Sequence, residues 1–213
     1  AAKALGYSYI AICDHSQSVT YAGGLKPDSL QRQWADIDIL NKKLTGIRIL
    51  KGTEADILTD GSIDYDEKIL EELDVVIAAV HSKFNMTERE MTDRICRALM
   101  SPHVDILAHP TGRLLLQREP YPVDLDAIIE CAAEYGKAIE INAHPRRLDL
   151  DWRYVRKAKE RGVKLVICPD AHSAEMLKDT PLGVGMARKG WCEKGDVLNT
   201  LPADKFLKSL NGA

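Results

Sequence analysis

Long apolar runs, glycine-rich phosphate loops and paired cysteine motifs are all absent from this 213-residue chain. No apolar stretch approaches the roughly 20 residues that cross a membrane, so a membrane protein is not indicated. There is neither a Gly-x-Gly-x-x-Gly dinucleotide loop nor a Walker-type loop, and a bound nucleotide cofactor is therefore not indicated. The net charge is −3, whereas a module that holds nucleic acid by electrostatics alone is usually basic. A polyanionic substrate would have to meet a local basic patch or bound metal ions.

The cysteine pattern argues against a disulfide scaffold and against a thiolate metal site. There are five cysteines, an odd number, at positions 13, 96, 131, 168 and 192, and none forms a Cys-x-x-Cys pair. We therefore predict reduced thiols in a cytoplasmic protein. Hydrophobic residues make up 45% of the chain and charged residues 29%, which suits a single α/β domain of this length.

Short apolar runs alternate with helical stretches along the chain, and most runs end at a histidine or an acid. The predicted strands end near residues 13, 53, 80, 108, 141 and 168. Runs of this kind, each followed by a loop and a helix, are typical of buried parallel strands. The residues that follow five of these runs are His15, Glu54, His81, His109 and the segment Asp170-Ala171-His172.

The number of strand ends that carry such residues distinguishes two architectures. An open doubly wound sheet binds its ligand at one switch point, which touches two or three strand ends. Five strand ends meet only in a closed or nearly closed barrel, whose sites lie at the carboxyl ends of the strands. We therefore predict an α/β barrel with these side chains at one rim.

Local signals add detail to this pattern. Thr87 with Glu90 predicts a capping box for a helix that runs to Met100. Asp60-Gly61 predicts the turn of a small hairpin. The residues before Tyr7 look like the last turns of a helix closed by Gly6, which leads us to expect that the domain begins upstream.

The candidate ligands are imidazoles and carboxylates, which suit zinc, manganese or iron. Four histidines, one glutamate and one aspartate are too many for one tetrahedral ion, so two or three ions are expected. Clustered ions activate a water molecule and stabilise both oxygens of an in-line displacement, which is the chemistry of phosphoester hydrolysis.

Each candidate also has a structural interpretation. For a single histidine beside an apolar run, a structural role is favoured roughly two to one, but five coincidences at one kind of position reverse those odds. Asp14 is a weaker candidate, and His103 is expected at the opposite end of the barrel in a structural role. His144 and Glu140 remain open between a role at the site and a structural one. Four basic residues follow strand ends and could meet phosphate: Lys83, Arg113, Arg146 and Arg147.

Together these motifs resemble the PHP (polymerase and histidinol phosphatase) superfamily. The motifs are Cys13-Asp14-His15-Ser16, Gly52-Thr53-Glu54, Val80-His81-Ser82, Ala108-His109-Pro110 and Asp170-Ala171-His172. Residues 48–52, 102–113, 140–143, 188–191 and 196–200 are similar to the C-terminal PHP domain of bacterial and archaeal family X DNA polymerases. The resemblance covers almost the whole chain, and the motifs are specific in combination.

The resemblance implies a distorted, TIM-like (β/α)7 barrel with a centre of two to three divalent ions, Mn or Zn with Fe or Mg as further candidates. Glu54 would bridge two ions, His81 and His109 would complete one, Asp170 would bind another, and His15 with His172 a third. We expect Glu54, Asp170 and His172 to be catalytic, and from their positions after strand ends we expect Arg113, Lys83 and Arg146 to bind phosphate. The implied activity is 3′–5′ exonuclease action on DNA ends in repair, beside an N-terminal polymerase module of the same protein.

One departure from the family pattern affects this expectation. The family begins with a His-x-His motif on its first strand, and this chain has none. We therefore expect a single PHP domain over residues 1–213 without that strand, and a poor hydrolase in this form. Two alternatives stay open: a stand-alone PHP phosphatase that acts on a small phosphoester such as histidinol phosphate, and a non-catalytic structural domain.

Overall fold

The computed structural model describes residues 1–210, in which parallel strands and helices alternate along the chain. The strands are β1 Tyr9–His15, β2 Arg48–Asp56, β3 Val75–Ala79, β4 Ile106–Leu107, β5 Ala138–Asn142 and β6 Leu165–Cys168. The helices are α1 Pro27–Lys43, α2 Glu67–Leu70, α3 Glu88–Leu99, α4 Leu125–Glu134, α5 Trp152–Glu160, α6 Thr180–Lys189 and α7 Ala203–Leu210. The predicted alternation of six strands with helices is confirmed.

The six strands form one parallel sheet in the order in which they occur in the sequence. Within residues 1–210, β1 and β6 are not hydrogen-bonded to each other, so the sheet is a curled half-barrel and is not closed. The sequence pattern predicted a closed or nearly closed barrel, and full closure is a correction to that prediction. An apolar run indicates a buried strand, and strands are equally buried in a closed barrel and in a curled sheet whose two faces are covered.

The two faces of the sheet are filled by different parts of the chain. Helices α1, α3, α4 and α5 cover the outer face, with core residues such as Leu30, Ile95 and Ile128. The inner face carries Leu50, Ile77, Val166 and their neighbours, and Phe206 of α7 packs against them. Tyr9 of β1 and Cys168 of β6 belong to this same inner cluster, which shows how far the sheet curls.

Alternation along each strand determines which side chains reach the inner face. On β2 the inner positions are Leu50, Gly52, Glu54 and Asp56, and on β5 they are Ala138, Glu140 and Asn142. The inner face is thus apolar at the amino ends of the strands and polar at their carboxyl ends. The residues that follow β3, β4 and β6 extend this polar rim.

Several local predictions are confirmed. Thr87 caps α3 in a capping box with Glu90. Ile57 and Ile63 form an antiparallel bridge across the Asp60-Gly61 turn. All five cysteines are unpaired and none of them is exposed. Within residues 1–210, no helix has both the length and the apolar character that a membrane span needs.

Candidate metal centre

The carboxylate of Glu54 lies at the middle of a histidine cluster on the polar rim. Pairing of β1 with β2 sets His15 opposite Glu54. Glu54 Oε2 lies 3.4 Å from Nδ1 of His15, and Glu54 Oε1 lies 3.3 Å from Nε2 of His81 and 2.8 Å from Nε2 of His109. The structure therefore brings together four of the six predicted ligands, from four consecutive strands.

The histidine rings of this cluster present nitrogen atoms that have no hydrogen-bond partner. Nδ1 of His15, both ring nitrogens of His81 and Nδ1 of His109 are buried and unpartnered within the described part of the chain. A buried polar atom without a partner costs about 1–3 kcal/mol. Ligand atoms of His15, Glu54 and His81 all lie within 4.8 Å of one another. Imidazole and carboxylate donors in this arrangement fit a divalent transition-metal ion, which would use these lone pairs.

Asp56 holds one of these rings in place, and sequence reasoning missed it. Its Oδ1 atom accepts the backbone N–H of His81 at 2.9 Å and lies 3.4 Å from Nδ1 of the same residue. A carboxylate behind the ring is the usual way in which proteins orient a histidine ligand. The spacing Glu54-Ala55-Asp56 was the available signal, because alternate residues of a strand share a face.

A second polar group lies around Asp170, beyond the end of β6. Asp170 Oδ2 accepts a hydrogen bond from Nδ2 of Asn142 at 3.2 Å and lies 3.3 Å from Nε of Arg147. His172 is exposed, and its Nδ1 lies 3.7 Å from Asp170 Oδ1. The rings of His15 and His172 have their centroids 6.4 Å apart, so this group adjoins the Glu54 cluster.

Glu140 links the two groups and is buried. Its Oε2 atom accepts the backbone N–H of His109 at 2.7 Å and Nδ2 of Asn142 at 3.2 Å. Burial, followed by the nearby Asp170 carboxylate, raises the pKa of Glu140 well above its ordinary value. The sequence left open whether Glu140 has a role at the site or a structural one. In the structure it lies at the site and accepts a hydrogen bond from the backbone of His109, a candidate ligand.

The pKa values of the ionisable groups at the rim are shifted in different directions. Burial alone would raise the pKa of Glu54, but the hydrogen bond with His109 and the nearby imidazole of His81 hold it well below its ordinary value. Burial opposes protonation of His81, yet Asp56 and Glu54 raise its pKa to about 9. Burial lowers the pKa of His15, against the attraction of Glu54. The carboxylates of Glu54 and Asp56 both lie against His81 in this desolvated space, which favours a bound cation.

The backbone is unusual at the same rim. His109 and Asp170 follow β4 and β6 with φ angles of 27° and 51°, and Lys83, after β3, has φ 57°. Residues other than glycine seldom adopt positive φ, and such conformations cluster at functional sites. The turns that position these side chains therefore adopt backbone conformations that residues other than glycine disfavour.

The three residues predicted to bind phosphate differ in their surroundings. Arg113 donates from Nε to the carbonyl oxygen of Arg147 at 2.9 Å, donates also to the carbonyl of Leu148, and pairs with Asp151 at 3.6 Å. Its guanidinium group is thus occupied in bracing the loop after β5. Lys83 and Arg146 are exposed on loops after β3 and β5.

Arg147 is the basic residue that lies closest to the candidate ligands. Beside its contact with Asp170, its NH1 atom is buried and has no partner within residues 1–210. The remaining candidates face elsewhere: Asp14 accepts a hydrogen bond from Gln33 at 2.6 Å, and Nδ1 of His144 accepts the backbone N–H of Arg146 at 3.1 Å. His103 precedes β4, at the opposite end of the sheet from the rim, as predicted.

Comparison with known proteins agrees with this geometry. The chain is 34% identical over 183 residues to a probable phosphatase of Caldanaerobacter subterraneus, covering 78% of this chain and 65% of that protein. It is 33% identical over 177 residues to a probable phosphatase of a Thermoanaerobacter species, covering 78% of this chain and 67% of that protein. The chain belongs to the family of these probable phosphatases.

A further relative carries a different name. The DNA polymerase/3′-5′ exonuclease PolX of Bacillus subtilis is 51% identical over 206 residues, which are 95% of this chain and 36% of that protein. The chain thus spans about a third of the length of this relative and about two thirds of the length of the phosphatases. No protein-family model matches the chain. These relatives support a PHP-type hydrolase domain, as the motifs predicted.

Proposed function

We propose that this chain is a divalent-metal-dependent phosphodiesterase domain that acts on the 3′ ends of DNA. The observation that carries the proposal is the cluster of His15, His81 and His109 around Glu54, with four unpartnered ring nitrogens. The name of the Bacillus subtilis relative, polymerase and 3′-5′ exonuclease, supports DNA as the substrate. The proposal includes a single PHP domain, a polymerase module as its partner, and a cytoplasmic role in DNA repair.

The residues of the rim would be divided between two or three ions of manganese or zinc. His15, Glu54, His81 and His109 would hold ions at the cluster, with Glu54 shared between them, and Asp170 with His172 would complete the site at its open edge. Bound ions of this kind supply an activated water and stabilise charge on the phosphoryl oxygens. Glu54, Asp170 and His172 are accordingly the residues that we propose to be catalytic.

The other residues of the rim position these groups and the substrate. Asp56 and Glu140 fix the ring of His81 and the backbone of His109 through the contacts described above. Arg147 has a free, buried N–H donor beside Asp170, which suits a phosphoryl oxygen better than the occupied guanidinium group of Arg113. Lys83 and Arg146 would meet phosphates farther along the strand.

Glu54→Gln tests the proposal. In the presence of Mn²⁺, the wild-type chain should shorten a labelled single-stranded oligonucleotide from its 3′ end, slowly because it lacks the family's His-x-His motif, and the variant should lose this activity together with bound metal. Asp14→Asn is the matched control, because Asp14 lies one residue before His15 but faces Gln33. Metal content after dialysis provides a readout that does not depend on turnover.

Three outcomes would contradict the proposal. Retained metal and activity in Glu54→Gln would remove the bridging role of Glu54. Hydrolysis of a small phosphomonoester but not of the oligonucleotide would move the assignment to a phosphatase. No bound metal and no hydrolysis in the wild-type chain would leave a structural domain.

A further inference from the structure

Tyr21 is a large aromatic side chain that lies in solvent at the metal centre. It is 77% exposed and belongs to a single 3-10 turn, Thr20–Ala22, between β1 and α1. Scattered exposed apolar residues are normal on a protein surface, and exposure by itself indicates nothing. Two further observations distinguish Tyr21: the hydrogen bonds that close its turn and the contact of this turn with Asp56.

The turn that carries Tyr21 is held by hydrogen bonds at both ends. Val19 donates its N–H to Ser16 O at 3.0 Å, Gly24 donates to Val19 O at 3.1 Å, and Leu25 donates to His15 O at 2.8 Å. Val19 is buried, and a Cβ on Gly24 would lie 2.0 Å from Ser16 O. Backbone hydrogen bonds therefore close the turn that presents the exposed ring.

The turn also lies directly against the centre. It follows His15, and Oγ of Ser18 donates to Oδ2 of Asp56 at 3.3 Å. Partial burial and then Asp56 raise the pKa of Tyr21, while Arg118 and Arg147 act in the opposite direction. Burial lowers the pKa of Arg118, and Tyr21 acts in the opposite direction.

The two arginines near Tyr21 are fixed as well. Nε of Arg118 donates to the carbonyl of Gly112 at 2.9 Å, and the guanidinium carbon of Arg118 lies 4.5 Å from the centre of the Phe84 ring. Arg147 is held beside Asp170. The mouth of the centre thus combines an exposed aromatic ring with two cations, of which Arg147 keeps an N–H without a partner within residues 1–210. This is the combination by which proteins hold single-stranded nucleic acid, with bases on rings and phosphates on cations.

We propose that the ring of Tyr21 stacks against a nucleobase of the strand whose phosphodiester bond lies at the metal centre. The inference rests on the proposed function and names the part of the substrate that is recognised. Stacking accepts every base, because each has a π face, so it suits an enzyme that removes nucleotides regardless of sequence. Tyrosine is well suited to the task, since it offers a large rigid surface and loses little conformational freedom on binding.

The experiment compares two substrates with four proteins. The substrates are a single-stranded oligodeoxynucleotide and the same strand with abasic sites at its 3′ end. The proteins are the wild-type chain, Tyr21→Ala, Tyr21→Phe and Trp191→Ala, all with Mn²⁺. Trp191 is a matched control because it is 72% exposed and follows α6, beside Arg156 of α5. KM is measured for both substrates, and binding is measured by fluorescence anisotropy.

The expected result is a loss of discrimination in one variant only. The wild-type chain, Tyr21→Phe and Trp191→Ala should prefer the strand that carries bases by roughly tenfold or more in KM and Kd. Tyr21→Ala should treat the two strands alike. The stacking role would be overturned if Tyr21→Ala bound both strands more weakly by the same factor, or if it kept the wild-type preference for the strand with bases. Loss of that preference in Tyr21→Phe would also overturn it. If the wild-type chain binds the strands but does not hydrolyse them, the proposed function fails while the anisotropy comparison still decides on Tyr21.

Discussion

Replacing Asp105 by asparagine should stabilise the protein at neutral pH. Asp105 lies just before β4, at the end of the sheet away from the metal centre, and its Oδ2 atom accepts the N–H of Val76 at 2.7 Å. Burial raises its pKa from 3.8 to about 6, although the hydrogen bond from Val76 and the positive charge of Lys137 act in the other direction. An asparagine amide oxygen can accept the same hydrogen bond without a buried negative charge.

The magnitude follows from the raised pKa. Between about pH 4 and pH 6 the folded state binds more protons than the unfolded state, so the free energy of unfolding falls as the pH rises. Each pKa unit corresponds to about 1.4 kcal/mol, and the full difference is on the order of 3 kcal/mol. With allowance for relaxation of the site, we expect Asp105→Asn to gain about 1–3 kcal/mol above pH 6 and nothing near pH 3.5.

Urea unfolding of the wild type and the variant at a series of pH values measures this difference. The chain offers a matched control in Asp74, which lies before β3 and accepts the N–H of Lys51 at 2.9 Å in the same manner. The side chain of Asp74 is 29% exposed and faces Arg48 at 3.9 Å. Asp74→Asn should therefore bring no stabilisation, because a charge near solvent and a cation carries little burial cost. A difference for Asp105→Asn that does not vary with pH, or a loss of stability at pH 8, would refute the reasoning.

Three further substitutions concern the rim. Asp56→Asn should lower Mn²⁺ affinity by about 10- to 100-fold, seen by calorimetric titration, because the ring of His81 loses its orienting carboxylate. Arg147→Ala should raise KM for an oligonucleotide about tenfold or more without changing the amount of bound metal, and an unchanged KM would exclude a phosphate contact. Gly52→Ala should cost about 1–3 kcal/mol in urea unfolding, because its Cβ would lie 2.5 Å from Sγ of Cys13. A stable Gly52→Ala variant would mean that the strands beneath the site adjust freely.

The strands and four of the candidate ligands at their ends could be predicted because burial and alternation are local properties of the sequence. Each apolar run marks a strand, and the polar residues at its carboxyl end lie at one rim of the sheet. His15, Glu54, His81 and His109 meet for this reason alone. Whether β1 and β6 pair to close the sheet could not be predicted in this way, because an apolar run does not indicate which strands lie beside it.

The basic residues show where prediction from sequence stops. Arg113, Arg146 and Arg147 all follow strand ends, and composition cannot rank them. Their directions depend on loop backbones such as that of Leu148, whose φ is 44°. In the structure this loop turns Arg147 toward Asp170 and uses Arg113 as an internal brace. The orienting role of Asp56 depends likewise on a contact between β2 and the residue that follows β3.

The packing of α7 against the inner face of the sheet has a consequence for biosynthesis. The outer face can be covered progressively, because each helix follows its own strand along the chain. The inner apolar surface around Leu50, Ile77 and Val166 stays uncovered until Phe206 has been synthesised. A nascent chain therefore exposes this apolar surface from the synthesis of β2 until that of α7, a state in which partly folded proteins aggregate. Ribosome-associated chaperones would find their binding surface on the same side of the sheet as the histidine cluster.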